Sequence, residues 1–102
     1  MTTTVARLLA DTLEAHDVDQ IFFVPGESYV GLTSVLSERN SIKMIVCRHE
    51  AGAGFMAVAD GRLRSRAGVC AVSRGPGLSN GMVALHSAFH DATPMVMLIG
   101  QV

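Results

Sequence analysis

Ile42-Lys43-Met44-Ile45-Val46-Cys47-Arg48-His49-Glu50-Ala51-Gly52-Ala53-Gly54-Phe55-Met56-Ala57-Val58-Ala59 is the stretch on which the fold turns. Its first six residues read as a short apolar strand, and its last nine are small and apolar on nearly every side, as in a helix buried on more than one side. Between them stand three polar residues, Arg48-His49-Glu50. Burying an ionised carboxylate without a partner is costly, so Glu50 either reaches solvent, finds a hydrogen-bond partner or does proton chemistry. The simplest reading is a residue that opens a helix and favours its positive end, which requires no function.

The same strand-then-helix pattern continues in both directions. Upstream, Val5, Leu8, Leu9, Thr12 and Leu13 follow helical spacing, and the threonines at positions 2 to 4 supply an N-cap, which predicts a helix from about Thr4 to His16. Ile21-Phe22-Phe23-Val24 is a continuous apolar run closed by Pro25-Gly26 and reads as a strand buried on both faces. Ser28 is positioned to cap a helix that turns Val30, Val35 and Leu36 inward. Downstream, the helix from Glu50 to about Leu63 leads to a strand, Val69-Cys70-Ala71-Val72. A Gly75-Pro76-Gly77 turn and a helix from about Ser79 to His90 follow, and Thr93-Pro94 breaks into the strand Met95-Val96-Met97-Leu98-Ile99. Strict βα alternation with apolar, unalternating strands predicts an α/β fold, a parallel sheet with helices on both faces.

Composition removes several classes of function. The chain has 102 residues, 49% of them hydrophobic and 17% charged, which fits one domain or part of one and excludes a disordered chain. With a formal net charge of −1 and only Arg62, Arg64 and Arg66 clustered, there is no electrostatic footprint for nucleic acid. Those arginines read as the solvated last turn of a helix. No apolar run reaches membrane-spanning length and no apolar h-region opens the chain, so the expectation is a cytoplasmic protein. Cys47 and Cys70 lie in apolar strands without metal or redox spacing and are expected to be buried free thiols. His86 and His90, four apart on a helix, lack a third ligand, so no metal site is expected.

In parallel sheets the ligand crevice lies beyond the carboxyl ends of the strands. Here those ends are Pro25-Gly26-Glu27-Ser28, Arg48-His49-Glu50, Ser73-Arg74-Gly75-Pro76-Gly77 and Gly100-Gln101-Val102. A dinucleotide site needs G-x-G-x-x-G directly after the first strand, which this chain lacks, and a P-loop is absent.

Pro25-Gly26, Arg48-His49-Glu50, Ala57-x-x-x-Gly61, Gly75-Pro76-Gly77-x-x-Asn80, Asp91-x-x-Pro94 and Gly100-Gln101-Val102 resemble, in order and spacing, the pyrimidine-binding domain of thiamine diphosphate enzymes. The branch they are most similar to is the large subunit of acetolactate synthase. The resemblance implies the thiamine diphosphate-binding fold over residues 1–102, as the N-terminal part of the pyrimidine domain. It further implies that the diphosphate-binding and central domains lie outside an apparently truncated chain. For Glu50 it implies a catalytic role: hydrogen bonding to N1′ of the cofactor's aminopyrimidine, favouring the imino tautomer that deprotonates C2 of the thiazolium for attack on a 2-keto acid. Pro25 and Gly26 would bring backbone close to the cofactor, and Gly75, Pro76, Gly77 and Asn80 would wall the pyrimidine pocket, although Gly and Pro mark turns everywhere.

On the substrate side the resemblance places Glu27, Ser28 and Arg74. Glu27 stands where acetolactate synthases usually carry Gly, and Arg74 replaces a small residue before Gly-Pro-Gly. Opposite charges at the ends of strands one and three either pair with each other or address an anionic substrate. The family builds its active sites between subunits, which implies a homo-oligomer, dimer or tetramer, with Mg²⁺ held by the other domain and room for FAD in the full-length protein. The small, apolar third helix agrees, since in so short a chain its second side is expected to meet another chain. The implied enzyme is a thiamine diphosphate-dependent 2-keto acid decarboxylase or carboligase, a lyase or transferase inactive as this fragment alone. The alternative is a non-catalytic oligomerisation module.

Overall fold

The computed structural model describes residues 2–102. Helix α1 (Val5–Ala15) begins at Thr4, whose Oγ1 accepts from the Arg7 N–H at 3.2 Å, so the N-terminal threonines do cap it. Then follow strand β1 (Gln20–Phe23), a 3-10 turn (Glu27–Tyr29), α2 (Val30–Ser37) and β2 (Lys43–Val46). After these come α3 (Glu50–Arg64), β3 (Gly68–Val72), α4 (Pro76–His90) and β4 (Met95–Ile99). The four strands form one parallel sheet in the order β2-β1-β3-β4. From β1 the chain moves outward to β2, then crosses back to β3 on the other side. The order therefore reverses between β1 and β3, which opens a crevice at their carboxyl ends.

Alternate strand residues point to opposite faces, and here both faces are covered. Ile21 and Phe23 of β1 with Val69 and Ala71 of β3 pack against Ala10 of α1 and Leu32 and Leu36 of α2. Phe22 and Cys70 face the other way, onto Ala53 and Ala57 of α3. All five residues of β3 are buried, as a central parallel strand requires, whereas β2 and β4 are partly exposed at the edges. Burial pushes the Cys70 thiol up to about 12, with a smaller push from Cys47, so it packs as an inert apolar group. Cys47 is only half-buried, near the Met56 sulfur, because β2 is an edge strand.

Several sequence expectations need correction. Ser28 does not cap α2: it lies inside the 3-10 turn, its hydroxyl is engaged elsewhere, and Tyr29 occupies the N-cap position without a side-chain bond. Leu32 rather than Val30 faces the core, because the 3-10 turn shifts the helical phase. Helix α4 begins at Pro76, three residues earlier than Ser79, since Pro at the first helical turn needs no hydrogen-bonded N–H. The second side of α3 is filled by α4 of the same chain, so its small residues do not by themselves demand a partner. Gly54 lies so close to Ala84 that a Cβ there would stand 2.5 Å from the alanine methyl. A further apolar set stays exposed: Phe55, Met56 and Leu63 on α3, and Met82, Val83 and Phe89 on α4.

Only Arg66 departs from the expected solvated helix end: Arg62 and Arg64 are exposed in the last turn of α3. Ser65 takes a left-handed conformation (φ 54°) and turns the chain back, which carries Arg66 under the helix end. Arg66 donates to Asp60 Oδ2 at 2.9 Å and to Asp19 Oδ1 at 2.6 Å. Asp60, 6% exposed, also accepts from Gln20 Nε2 at 2.9 Å. Arg64 pairs with Asp19, while Arg62 pairs with Asp91 and donates to Thr93 Oγ1 at 3.0 Å. The network fastens the end of α3 to the start of β1 and to the α4–β4 turn, at the sheet end opposite the crevice.

A pH dependence follows from two surface carboxyls. Hydrogen bonding from Arg39 holds Glu14 below the usual carboxylate range, and hydrogen bonding from Arg64 does the same for Asp19. Depressed carboxyls contribute stability that is present above their unfolded pKa and is lost as pH falls through the folded one. The melting temperature is expected to decline from about pH 5 to about pH 3, and to decline less in Arg39→Gln. An unchanged slope in that variant would contradict the assignment.

Candidate functional site

Four strand ends deliver four short polar segments to one edge. At the end of β2, His49 adopts an extended conformation (φ −145°, ψ 141°) and its Nδ1 accepts from the Ala51 N–H at 3.1 Å. His49 is thus the N-cap of α3, a role distinct from acid–base chemistry. Glu50 is the first residue of the helix, half-buried, where the positive end of the helix dipole favours its charge. Asn80 Nδ2 donates to Glu50 Oε1 at 3.1 Å.

Asn80 reaches Glu50 because of the turn before it. Gly75 has φ 62° and ψ −116°, a conformation open to glycine and strained for other residues. It swings the chain from β3 directly into α4 and places Gly77 at the bottom of the turn, buried. A Cβ on Gly77 would stand 3.3 Å from Glu50 Oε2 and 3.3 Å from Ser73 Cβ. The carboxyl therefore has one oxygen fixed by Asn80 and the other packed so close to Gly77 that a side chain there would crowd it.

The β1 end closes the other wall of the crevice. Ser28 and Ser73 share a hydrogen bond, Oγ to Oγ 2.8 Å, which ties the turn after β1 to the end of β3. A Cβ on Gly26 would lie 3.0 Å from Ser73 Cβ and 3.1 Å from Tyr29 Cε1, so this turn tolerates little beyond glycine. Gly100, buried after β4, is packed more tightly still, its Cβ position being 2.2 Å from Ser28 Oγ.

The expected site residues therefore divide. Glu50, Gly77 and Asn80 are brought together, and Gly26 and Ser28 join Ser73 beside them. Pro25, Gly75 and Pro76 shape the turns. Glu27 and Arg74 are exposed, and among the described residues neither takes part in an ion pair, so the pairing considered for them is not formed. Sequence reasoning missed Ser73 and Tyr29 as site residues. Ser73 lay in a recognised strand end but carried no spacing signal, and Tyr29 looked like part of an ordinary helix start. Among the described residues no group of three His, Cys, Asp or Glu is able to hold a metal, and His86 and His90 stack edge to face, with ring centres 4.3 Å apart.

A parallel sheet with a helix-opening Glu, a Gly-Pro-Gly turn and an Asn that holds the Glu defines a cofactor-binding α/β domain. Residues 3–102 match the family described as thiamine pyrophosphate enzyme, N-terminal TPP binding domain, and the chain belongs to that family. Its relatives include 2-hydroxyacyl-CoA lyase 2 of Xenopus laevis, 43% identical over 92% of this chain and 14% of the relative. The catabolic acetolactate synthase of Raoultella terrigena is 41% identical over 95% of this chain and 17% of its own length. A probable 2-ketoarginine decarboxylase of Pseudomonas aeruginosa is 36% identical over the same two shares. The chain thus spans about a sixth of the curated relatives it matches.

Proposed function

We propose that this domain is the pyrimidine-binding half-site of a thiamine diphosphate-dependent enzyme that cleaves or forms the carbon–carbon bond beside the carbonyl of a 2-keto acid. The observation that carries the reading is the Glu50 carboxyl at the N-terminus of α3, one oxygen held by Asn80 and the other, beside Gly77, without a hydrogen-bond donor among the described residues. The residues present fit the group: Glu50 Oε2 is left without a donor among the described residues, and Gly26, Gly77 and Gly100, where a Cβ would be crowded, border the crevice where a flat ring must approach backbone. Bound there, thiamine diphosphate would supply a nucleophilic carbon and an electron sink.

The work of this chain's own residues is positioning and proton handling. Glu50 would share a proton with a ring nitrogen of the bound aminopyrimidine, and Asn80 would keep the carboxyl oriented for it. The Ser28–Ser73 bond fixes the width of the crevice. In this reading Mg²⁺ and the diphosphate are held by a separate domain, and two copies of the subunit complete each site. The exposed apolar residues of α3 and α4 support such an assembly.

The same apolar residues also favour a second reading, a domain that only mediates assembly. Adding purified diphosphate-binding domain, thiamine diphosphate and Mg²⁺ to this chain and assaying 2-keto acid decarboxylation separates the two. Activity that disappears with Glu50→Gln supports the half-site, and association without activity supports assembly alone.

Because Glu27 and Arg74 are exposed and unpaired with each other at the ligand edge, they are expected to select the substrate. In the intact enzyme, Glu27→Gly and Arg74→Ser should redistribute kcat/KM among pyruvate, glyoxylate and an aromatic keto acid by about tenfold. Stability should change by less than about 0.5 kcal/mol for each, and additively in the double variant. Uniform kinetics with coupled losses of stability would make the two residues a structural pair instead.

A further inference from the structure

Tyr29 ends the 3-10 turn after Pro25-Gly26 and is 8% exposed. Its ring joins the core cluster under α1 and α2 and passes beneath the turns at Gly26 and Gly100. Cε1, next to the hydroxyl-bearing carbon, is 3.1 Å from the position a Gly26 Cβ would take, and Cδ1 is 2.8 Å from the corresponding position at Gly100. The hydroxyl end of the ring is therefore under the turn that borders the crevice. That hydroxyl is out of solvent and has no hydrogen-bond partner. Buried phenols nearly always find one, and a native exception points to a group whose partner arrives with function.

An unpaired acceptor lies on the same crevice. Glu50 Oε1 is taken by Asn80, while Oε2 lies beside Gly77 and has no hydrogen-bond donor among the described residues. Tyr29 and Glu50 flank the same residue, Ser73: the Gly26 Cβ position lies 3.1 Å from Tyr29 Cε1 and 3.0 Å from Ser73 Cβ, and the Gly77 Cβ position lies 3.3 Å from Ser73 Cβ and from Glu50 Oε2. Burial, and after it the Glu50 charge, pushes the phenol up to about 12. A phenol that stays protonated is a donor only toward an anion such as this one.

We propose that Tyr29 is a positioning residue for Glu50: when a ligand ring seats against the α3 N-terminus, the Tyr29 hydroxyl donates to the Glu50 carboxyl, directly or across one bridging water. Each carboxylate oxygen accepts more than one hydrogen bond, so the ring nitrogen and the phenol are held together without competing. The consequence is a carboxyl fixed from two sides, by Asn80 above and Tyr29 below, in the orientation from which it exchanges a proton. This inference rests on the half-site reading above.

The test is Tyr29→Phe in the intact enzyme, an isosteric change that removes only the hydroxyl. Without cofactor the variant should melt at the same temperature as the wild type or higher, since an unpaired buried hydroxyl is lost. Its Kd for thiamine diphosphate in Mg²⁺ should rise about tenfold, the effect of losing one charge-assisted hydrogen bond. The Glu50 carboxylate stretch of the bound form, assigned by infrared difference against Glu50→Gln, should shift. An unchanged Kd with an unmoved band overturns the proposal, and so does a higher Kd with an unmoved band, which would make the hydroxyl a ligand contact. Lower melting with unchanged Kd overturns it too, by making the hydroxyl structural. If the wild type does not bind thiamine diphosphate, or Glu50→Gln behaves as wild type in C2 exchange, the half-site reading falls with it. If Glu50→Gln is impaired and Tyr29→Phe is silent, only the present inference falls.

Discussion

Glu50→Gln is expected to slow C2 proton exchange of enzyme-bound thiamine diphosphate by about 10²- to 10⁴-fold, the range typical of losing a positioned acid–base group. Gln keeps the size of the side chain and an oxygen able to accept from Asn80 Nδ2, so the contact seen at 3.1 Å survives. What it loses is the ability to take up and return a proton. The half-buried position at a helix start makes the fold tolerant of the change, because the favourable interaction with the helix dipole is only about 0.3–1 kcal/mol. Exchange is read by NMR after acid quench, with melting as the control for folding. Equal exchange in variant and wild type would remove Glu50 from the chemistry.

Gly68→Ala should cost more in stability than any surface change. A Cβ on Gly68 would stand 1.8 Å from the Ala57 carbonyl oxygen and 2.6 Å from its carbon, both backbone atoms of α3. One residue pair away the constraint repeats: a Cβ on Gly61 would lie 2.2 Å from the Pro94 oxygen, which itself accepts from the Gly68 N–H at 3.1 Å. Helix α3, the start of β3 and the turn before β4 therefore cross at backbone contact, and no flexible side chain can yield. The expected loss is about 3 kcal/mol or more, at the upper end of overpacking effects. In a domain of this size that lowers the melting temperature by on the order of 15 °C. A melting temperature within a few degrees of wild type would mean that α3 can slide away from the sheet at little cost.

The alternation of elements was legible in the sequence because each strand is a continuous apolar run and each helix has a clear stop or start. The run Met95–Ile99 matched the observed strand, and the Thr4 cap and the helix at Glu50 stand where spacing placed them. Errors arose where a local signal competed with a distant partner. Ser28 carries a cap residue's chemistry, but Ser73, 45 residues away, claims its hydroxyl. Arg62 and Arg64 do form an exposed helix end, but Arg66, read with them, is folded back by the left-handed Ser65 onto Asp60 and Asp19. The small residues of α3 suggested a partner chain, and α4 supplies the contact instead.

The sequence by itself determined the class of fold and the gathering of polar clusters on one edge, since period, run length and glycine placement are local properties that act before any tertiary contact forms. The order β2-β1-β3-β4, the Asn80 bond to Glu50, the orphaned Tyr29 hydroxyl and the separation of Glu27 from Arg74 were decided only in three dimensions. Each depends on how far apart two segments sit after the sheet twists and the helices seat, and that distance is set by close packing between residues remote in the chain.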